Sequence, residues 1–249
     1  MNFLALGLII PLAACSFSWN GNDTGASANS GSRAAAAGSG TTRTYQVAGF
    51  DGIDLQGSDD IDVRVGTGFS VRAEGPSDQL DRLTIERSGE TLNIGRKNGA
   101  SFGWNKGGKV KVYVTLPRLT DATVSGSGDI TVDHIEGARF AGGIPGSGNL
   151  NIAAIRVEDV SFSIAGSGNV RAAGTANMLN IAIAGSGEVD APRLQARSAK
   201  IEISGSGKIH AIVDGPATVN VLGSGDVDLG PNARCTTSKM GSGRVRCGN

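Results

Sequence analysis

Aromatic residues are scarce: Phe, Trp and Tyr together make up 4% of the 249-residue chain. A compact globular centre needs large side chains to fill it, so this composition favours a thin, layered core over a deep one. Histidine occurs twice and cysteine three times, with no His near the two C-terminal cysteines, which argues against a tetrahedral zinc set. Lys plus Arg balances Asp plus Glu at 23 each, so no net field draws the chain to nucleic acid. Glycine is what the chain has instead, with 39 residues, more than twice the usual share of about 7%. A layered β structure with a tight turn on every layer accounts for that excess.

The single long apolar run, Phe3 to Leu12, is interrupted by Gly7 and Pro11 and ends in Leu12-Ala13-Ala14-Cys15. About ten apolar residues are too few to span a bilayer but suit the hydrophobic region of a signal peptide. Small residues ahead of a cysteine resemble the lipobox of bacterial lipoproteins, which makes residues 1–15 a lipoprotein signal peptide and Cys15 the expected lipidation site. Met1-Asn2 brings no Lys or Arg to the n-region, which leaves an upstream start open. The alternative for Cys15 is an ordinary buried cysteine. Residues 16–42 are dominated by Gly, Ala, Ser, Asn and Thr and cannot bury enough apolar surface to offset their ordering entropy. They are expected to form a flexible tether reaching about 25–30 Å from the lipid. Ser16, following the cysteine, resembles a signal for export to the outer membrane, on its periplasmic or its outer side.

Internal repetition sets the fold class. In residues 121–249 Gly-Ser-Gly begins at Gly126, Gly146, Gly166, Gly185, Gly205, Gly223 and Gly241, at intervals of 20, 20, 19, 20, 18 and 18 residues. A period near 20 reads as the coil of a solenoid. Two residues after each triplet stands an aliphatic residue: Ile130, Leu150, Val170, Val189, Ile209, Val227 and Val245. Before the triplets the chain alternates, as in Val160, Phe162, Ile164 and in Leu179, Ile181, Ile183. Period-two alternation marks strands with one face inward, and equal spacing stacks them in parallel about 4.8 Å apart. The two glycines of each triplet (Gly126 and Gly128, Gly146 and Gly148, Gly166 and Gly168, Gly185 and Gly187, Gly205 and Gly207, Gly223 and Gly225, Gly241 and Gly243) are read as corners where a missing side chain permits close stacking and φ > 0. Phosphate loops need a following helix, whereas each triplet here leads into a strand. The next residue is Asp129, Asn149, Asn169, Glu188, Lys208, Asp226 or Arg244, a column of both signs that fits a solvated face rather than a calcium ladder.

Residues 43–120 lack the triplet but alternate in short runs, among them Ile61-Asp62-Val63-Arg64-Val65 and Val110 to Leu116, and no run sustains a helical period. They are expected to be irregular coils and hairpins that open the solenoid of residues 121–249. The loop Asn98 to Gly108 is expected to join two hairpin strands. Its Phe102 and Trp104 suit a sugar-stacking or partner-contact tip, and equally a packing role against the coil.

Phe50-Asp51-Gly52-Ile53, Ile61-Asp62-Val63, the strand Val110 to Leu116 followed by Pro117-Arg118-Leu119, and Val124-Ser125-Gly126-Ser127-Gly128-Asp129 together resemble the head GIN domain family, labelled as auto-transporter adhesins, over roughly residues 45–249. The resemblance implies an all-β, right-handed parallel β-helix in a cell-envelope setting, and it implies no catalytic residues.

Catalytic chemistry finds little footing in the sequence. Cys235 and Cys247 lie six residues either side of Gly241, on inward columns of the last coil, where a disulfide is favoured over two buried thiols. His134 and His210 read as surface residues, and Asp59, Asp60 and Asp62 as a turn plus an outward strand rather than a calcium site. No catalytic, cofactor or metal site is expected. The leading reading is a lipid-anchored envelope protein with a non-catalytic binding or adhesion head for a glycan or cell-surface ligand. A polysaccharide-active β-helix enzyme and a passive envelope component are the alternatives. A groove of carboxylates would favour the enzyme, and a flat polar face would favour binding.

Overall fold

Aliphatic side chains at matching positions of successive repeats fall into continuous inward columns. The column two residues past the triplets runs through Ile130, Leu150, Val170, Val189, Ile209 and Val227, all buried. On the strand before the triplets, Ile144, Ile164, Ile183, Ile203 and Val221 are buried likewise. Burying each such side chain contributes about 1.5–3 kcal/mol, and the stack of these columns is the core. This computed structural model describes residues 31–38, 40–97 and 108–248. It is nearly all-β, a solenoid of about six turns.

The pairing is parallel and in register with the repeat. Asn149 pairs with Asn169 and Ile164 with Ile183, and in the next turn Asn169 pairs with Glu188 and Ile183 with Ile203. Each coil presents one face on the strand before the corner and another on the strand after it. A third side, such as Ile155–Val157 against Gly174–Ala176, closes the turn. Where the coil shortens, register shifts absorb the difference, as between Ala191 and Gln195. Phe140 and Phe162 meet edge to face at 6.4 Å inside the wider coils, and Gly142 makes room for the Phe162 ring.

The N-terminal part belongs to the same stack, but in a different order from the chain. The strands Gly52–Leu55 and Asp60–Val65 form a rung that pairs in parallel with Asp121–Val124 and Asp129–Val132 on one side. On its other side it pairs with Thr91–Arg96 and Lys111–Leu116. Antiparallel strands then cover the end: Ser70–Glu74 lies on Lys111–Leu116, and Leu83–Ser88 lies on Thr91–Arg96. Between them sits one helical turn, Ser77–Leu80, with Leu80 buried. The alternation of the sequence did not signal this turn, because four residues are too few to show a 3.6-residue period.

Two expectations need correction. The proposed tether reached residue 42, yet Ser32–Arg33 pairs antiparallel with Glu86 and Arg87, and Ala36–Ala37 pairs with Thr44 and Tyr45. Small residues there satisfy a sheet edge through backbone bonds, which composition does not reveal. The loop Asn98 to Gly108 does not join a hairpin, because its flanking strands take other partners: Thr91–Arg96 lies beside Leu83–Ser88 and Gly52–Leu55, and Lys111–Leu116 beside Ser70–Glu74 and Asp60–Val65. Cys15, residues 16–30, Phe102 and Trp104 lie outside the described residues.

Candidate functional site

The corners come first, because they hold the faces in place. In each triplet the second glycine is buried and the serine exposed. A Cβ on Gly148 would fall inside the contact distance of the Gly128 carbonyl oxygen, and one on Gly185 would meet that of Gly166. Backbone amides bond from coil to coil at these points, with Ser147 N–H donating to Gly126 O at 3.1 Å and Ser206 N–H to Gly185 O at 2.9 Å. Close stacking is therefore the common reason for glycine. Left-handed backbone adds to it only at the first glycine of the later triplets, for example Gly185 at φ 134°. The seven serines form an exposed ridge of hydroxyls along the solenoid.

On one side of that ridge lies the face built from strands preceding the corners. Its outward residues include Ser163, Ala165, Ala182, Ala184, Ser204 and Asn220, all exposed. An open depression of about 570 Å³ runs along it. Glu202, which pairs with Lys200 at 2.9 Å, is the charged residue lining it, and Leu222 and Met240 stand 56% and 71% exposed at its C-terminal end. Short side chains on a twisted, rigid ladder give a flat, weakly charged surface.

Strands following the corners carry charge instead. Asn169 donates to Asn149 Oδ1 at 2.9 Å, and Asn149 to Asp129 Oδ1 at 2.7 Å, making a short amide ladder. Further along, Glu188, Lys208, Asp226 and Arg244 are successive partners in one column, and Asp190, His210, Asp228 and Arg246 in the next. Arg244 Nε lies 3.3 Å from Asp226 Oδ1, and this hydrogen bond holds the Asp226 carboxyl below its ordinary range. His210 lies 3.6 Å from Asp190, and His134 lies 3.1 Å from Asp133.

Both ends of the stack are chemically distinct. At the C-terminal end a disulfide joins Cys235 to Cys247, with Cα atoms 6.2 Å apart. Lys239 continues the inward column of Val221 and donates to the Gly243 carbonyl at 2.8 Å. A charge placed there blunts an edge that would otherwise accept another strand. At the N-terminal end Gly57-Ser58-Asp59 takes the corner position beneath Gly126-Ser127-Gly128. Asp59 stands in the turn ahead of the strand Asp60–Val65 and is buried there. Its carboxylate pairs with Arg96 and accepts the Val110 N–H at 3.1 Å, and Gln79, also buried, bonds Arg96 as well. Asp60 and Asp62 point elsewhere, to Lys109 at 3.1 Å and Lys111 at 3.5 Å, so the three carboxylates do not converge.

Asp121 lies over Gly52, near Asp51, Asp54 and Glu90. Burial pushes its carboxyl above the ordinary range, the neighbouring carboxylates add to the rise, and the Thr120 hydroxyl bond opposes it. Arg118 neutralises Asp51 at 2.7 Å, and Ser125 donates to Asp54 at 2.8 Å. Among the described residues no cluster of His, Cys, Asp and Glu has the arrangement of a metal site, and no helix is long and apolar enough to cross a membrane.

Residues 49–233 match the family described as "Putative auto-transporter adhesin, head GIN domain". No curated protein matches the chain. Among solved structures, a "putative adhesin" from Bacteroides fragilis superposes with a TM-score of 0.75 at 22% identity, covering 83% of this chain and 95% of that one. A "putative lipid binding protein" from Parabacteroides distasonis gives 0.60 at 24% identity, with 83% and 95% covered. A "putative adhesin" from Parabacteroides merdae gives 0.62 at 15% identity over the same shares. At these identities the likeness is one of fold.

Proposed function

Because this chain belongs to the head GIN domain family, we propose that it is a cell-envelope lipoprotein whose solenoid is a non-catalytic binding module. In this reading residues 1–15 are the signal peptide, Cys15 carries the lipid, and a tether of about residues 16–31 leads to the head. The lipid holds the protein at the outer membrane.

The flat face before the corners carries the proposal. Its exposed Ser, Ala and Asn side chains stand on a ladder held by the core and by coil-to-coil backbone bonds, so little order has to be gained on binding. Such a surface suits the hydroxyl-rich, extended face of a glycan or a cell-surface polymer. Phe102 and Trp104 offer aromatic contacts of the kind that stack on sugars. The enzyme alternative finds its strongest support in the carboxylates around Asp121. Arg118 and Ser125 already engage Asp51 and Asp54 there, which favours a structural role.

Two measurements test the reading. Cells producing the chain and fed a clickable fatty acid should label it, and Cys15→Ala should abolish the label. Label retained in that variant would remove the anchor from this account. Soluble full chain with Cys15→Ser should bind a glycan array or whole cells saturably, and Trp104→Ala with Phe102→Ala should weaken that binding, whereas unchanged binding would remove the two aromatic residues from the contact surface.

A further inference from the structure

The charged face after the corners has an order that pairs neighbouring rungs within the chain, as Arg244 with Asp226, and that also suits a second copy. Across four successive rungs one outward column alternates in sign, and the column beside it follows the same order with a histidine at its second place. Glu188 with Asp190 is negative, and the next rung is positive through Lys208, with His210, charged only when protonated, beside it. Asp226 with Asp228 is negative again, and Arg244 with Arg246 is positive. Side chains of the two positive rungs are exposed and those of the two negative rungs half-buried. With rungs about 4.8 Å apart, the stripes repeat about every 10 Å.

A series of signs running minus, plus, minus, plus turns into its own complement when reversed. That is the condition for a patch to pair with itself about a two-fold axis. Let the axis lie in the interface, parallel to the strands, midway between the rungs of Lys208 and Asp226. The rotation reverses the solenoid direction but keeps the strand direction, so each column meets the same column of the second copy. Lys208 then faces Asp226, Glu188 faces Arg244, His210 faces Asp228, and Asp190 faces Arg246. An axis along the solenoid would set every rung against itself and like charge against like.

We propose that this striped face is a self-recognition surface on which two copies of the chain pair antiparallel. The overlap of four rungs by about four residues of strand covers on the order of 250 Å² per copy, well below the ~800 Å² of a stable dimer. Pairing is therefore weak and salt-sensitive in solution, and many copies displayed together multiply it. The rotation also directs the end at which the chain enters, by Gly31, oppositely in the two copies. On the anchored lipoprotein of the proposed function, that arrangement joins molecules standing on facing surfaces. The pairing itself depends only on the solenoid.

The test uses full chain with Cys15→Ser, so its outcome is independent of lipidation and of any glycan. Sedimentation equilibrium up to about 1 mM at low salt should show a dimer that weakens several-fold by 0.15 M salt. Lys208→Glu and Asp226→Lys should each weaken self-association about ten-fold or more, since the two-fold axis repeats each clash. An equal mixture of the two variants should regain it. The carboxylate introduced by Lys208→Glu in one copy then meets the ammonium introduced by Asp226→Lys in the other, and the symmetry-related contact keeps its native pair of Asp226 and Lys208. Glu188→Lys mixed with Arg244→Glu provides the same test if either first variant fails to fold by circular dichroism. A wild-type chain that stays monomeric throughout, or a mixture that associates no better than its components, overturns the proposal.

Discussion

A single methyl group is enough to test why glycine stands at the corners. Gly148→Ala drives a Cβ against the Gly128 carbonyl. It should cost about 1–3 kcal/mol in urea unfolding, since neither backbone can move without disturbing the next coil. Ser147→Ala, at the exposed position between, should stay within about 0.5 kcal/mol. Equal losses would mean that the turn, and not the stacking distance, selects the residue. The raised Asp121 carboxyl gives a second test at this scale. A raised folded-state value means the folded protein holds the proton more tightly than the unfolded chain. The resulting stability is full below the ordinary value of 3.8 and is lost as pH rises through the folded one. Asp121→Asn should therefore raise Tm at pH 7, with the gain vanishing toward pH 3.8 and below, and an unchanged or lowered Tm at pH 7 would contradict it. The glycine columns were legible because spacing alone exposes them. Asp59 was not, because Gly57-Ser58-Asp59 reads as any polar turn until Arg96 and Val110 are seen to close over it.

At the level of elements, the two ends of the stack are held by different means, and each can be removed. Asp59→Ala leaves Arg96 and the Val110 amide without their buried partner and should cost about 3–5 kcal/mol, read as a fall in the denaturant midpoint. A loss under about 1 kcal/mol would assign the N-terminal closure to the antiparallel strands instead. Cys235→Ser, or reduction, reopens a loop with sequence separation 12 and should release about 3 kcal/mol of constraint at the last coil. Hydrogen exchange should then speed up in residues 234–248 while the central coils stay protected, as expected of nearest-neighbour stability. Uniform acceleration along the stack would show that the end coil nucleates the whole. Inward and outward faces were legible from alternation, as Phe162 and Ile164 show. Neighbours were not: nothing in Thr91–Arg96 says that it lies beneath Gly52–Leu55, because period two specifies which way a side chain points and not which strand lies alongside.

For the molecule as a whole, a stack of near-identical coils repeats each outward position about every 4.8 Å, so the sequence of a column becomes the pattern of a surface. One such surface is flat and small-residued, the other striped with charge, and both are held by one aliphatic core. The repeat made this architecture readable from the chain, together with the family it resembles. The flat face was less so, since Ser163, Ala182 and Asn220 are unremarkable residues until pairing lines them up. The central claim is that this face binds. Full chain with Cys15→Ser, titrated onto glycan arrays and whole cells beside Ala182→Arg, addresses it most directly. Arginine at that exposed position leaves the core untouched but interrupts the flat surface. The account expects saturable binding by the parent, weakened about ten-fold or more by the substitution while circular dichroism is unchanged. Absence of saturable binding to any glycan or cell surface by the folded parent, or binding that Ala182→Arg leaves intact, would contradict it.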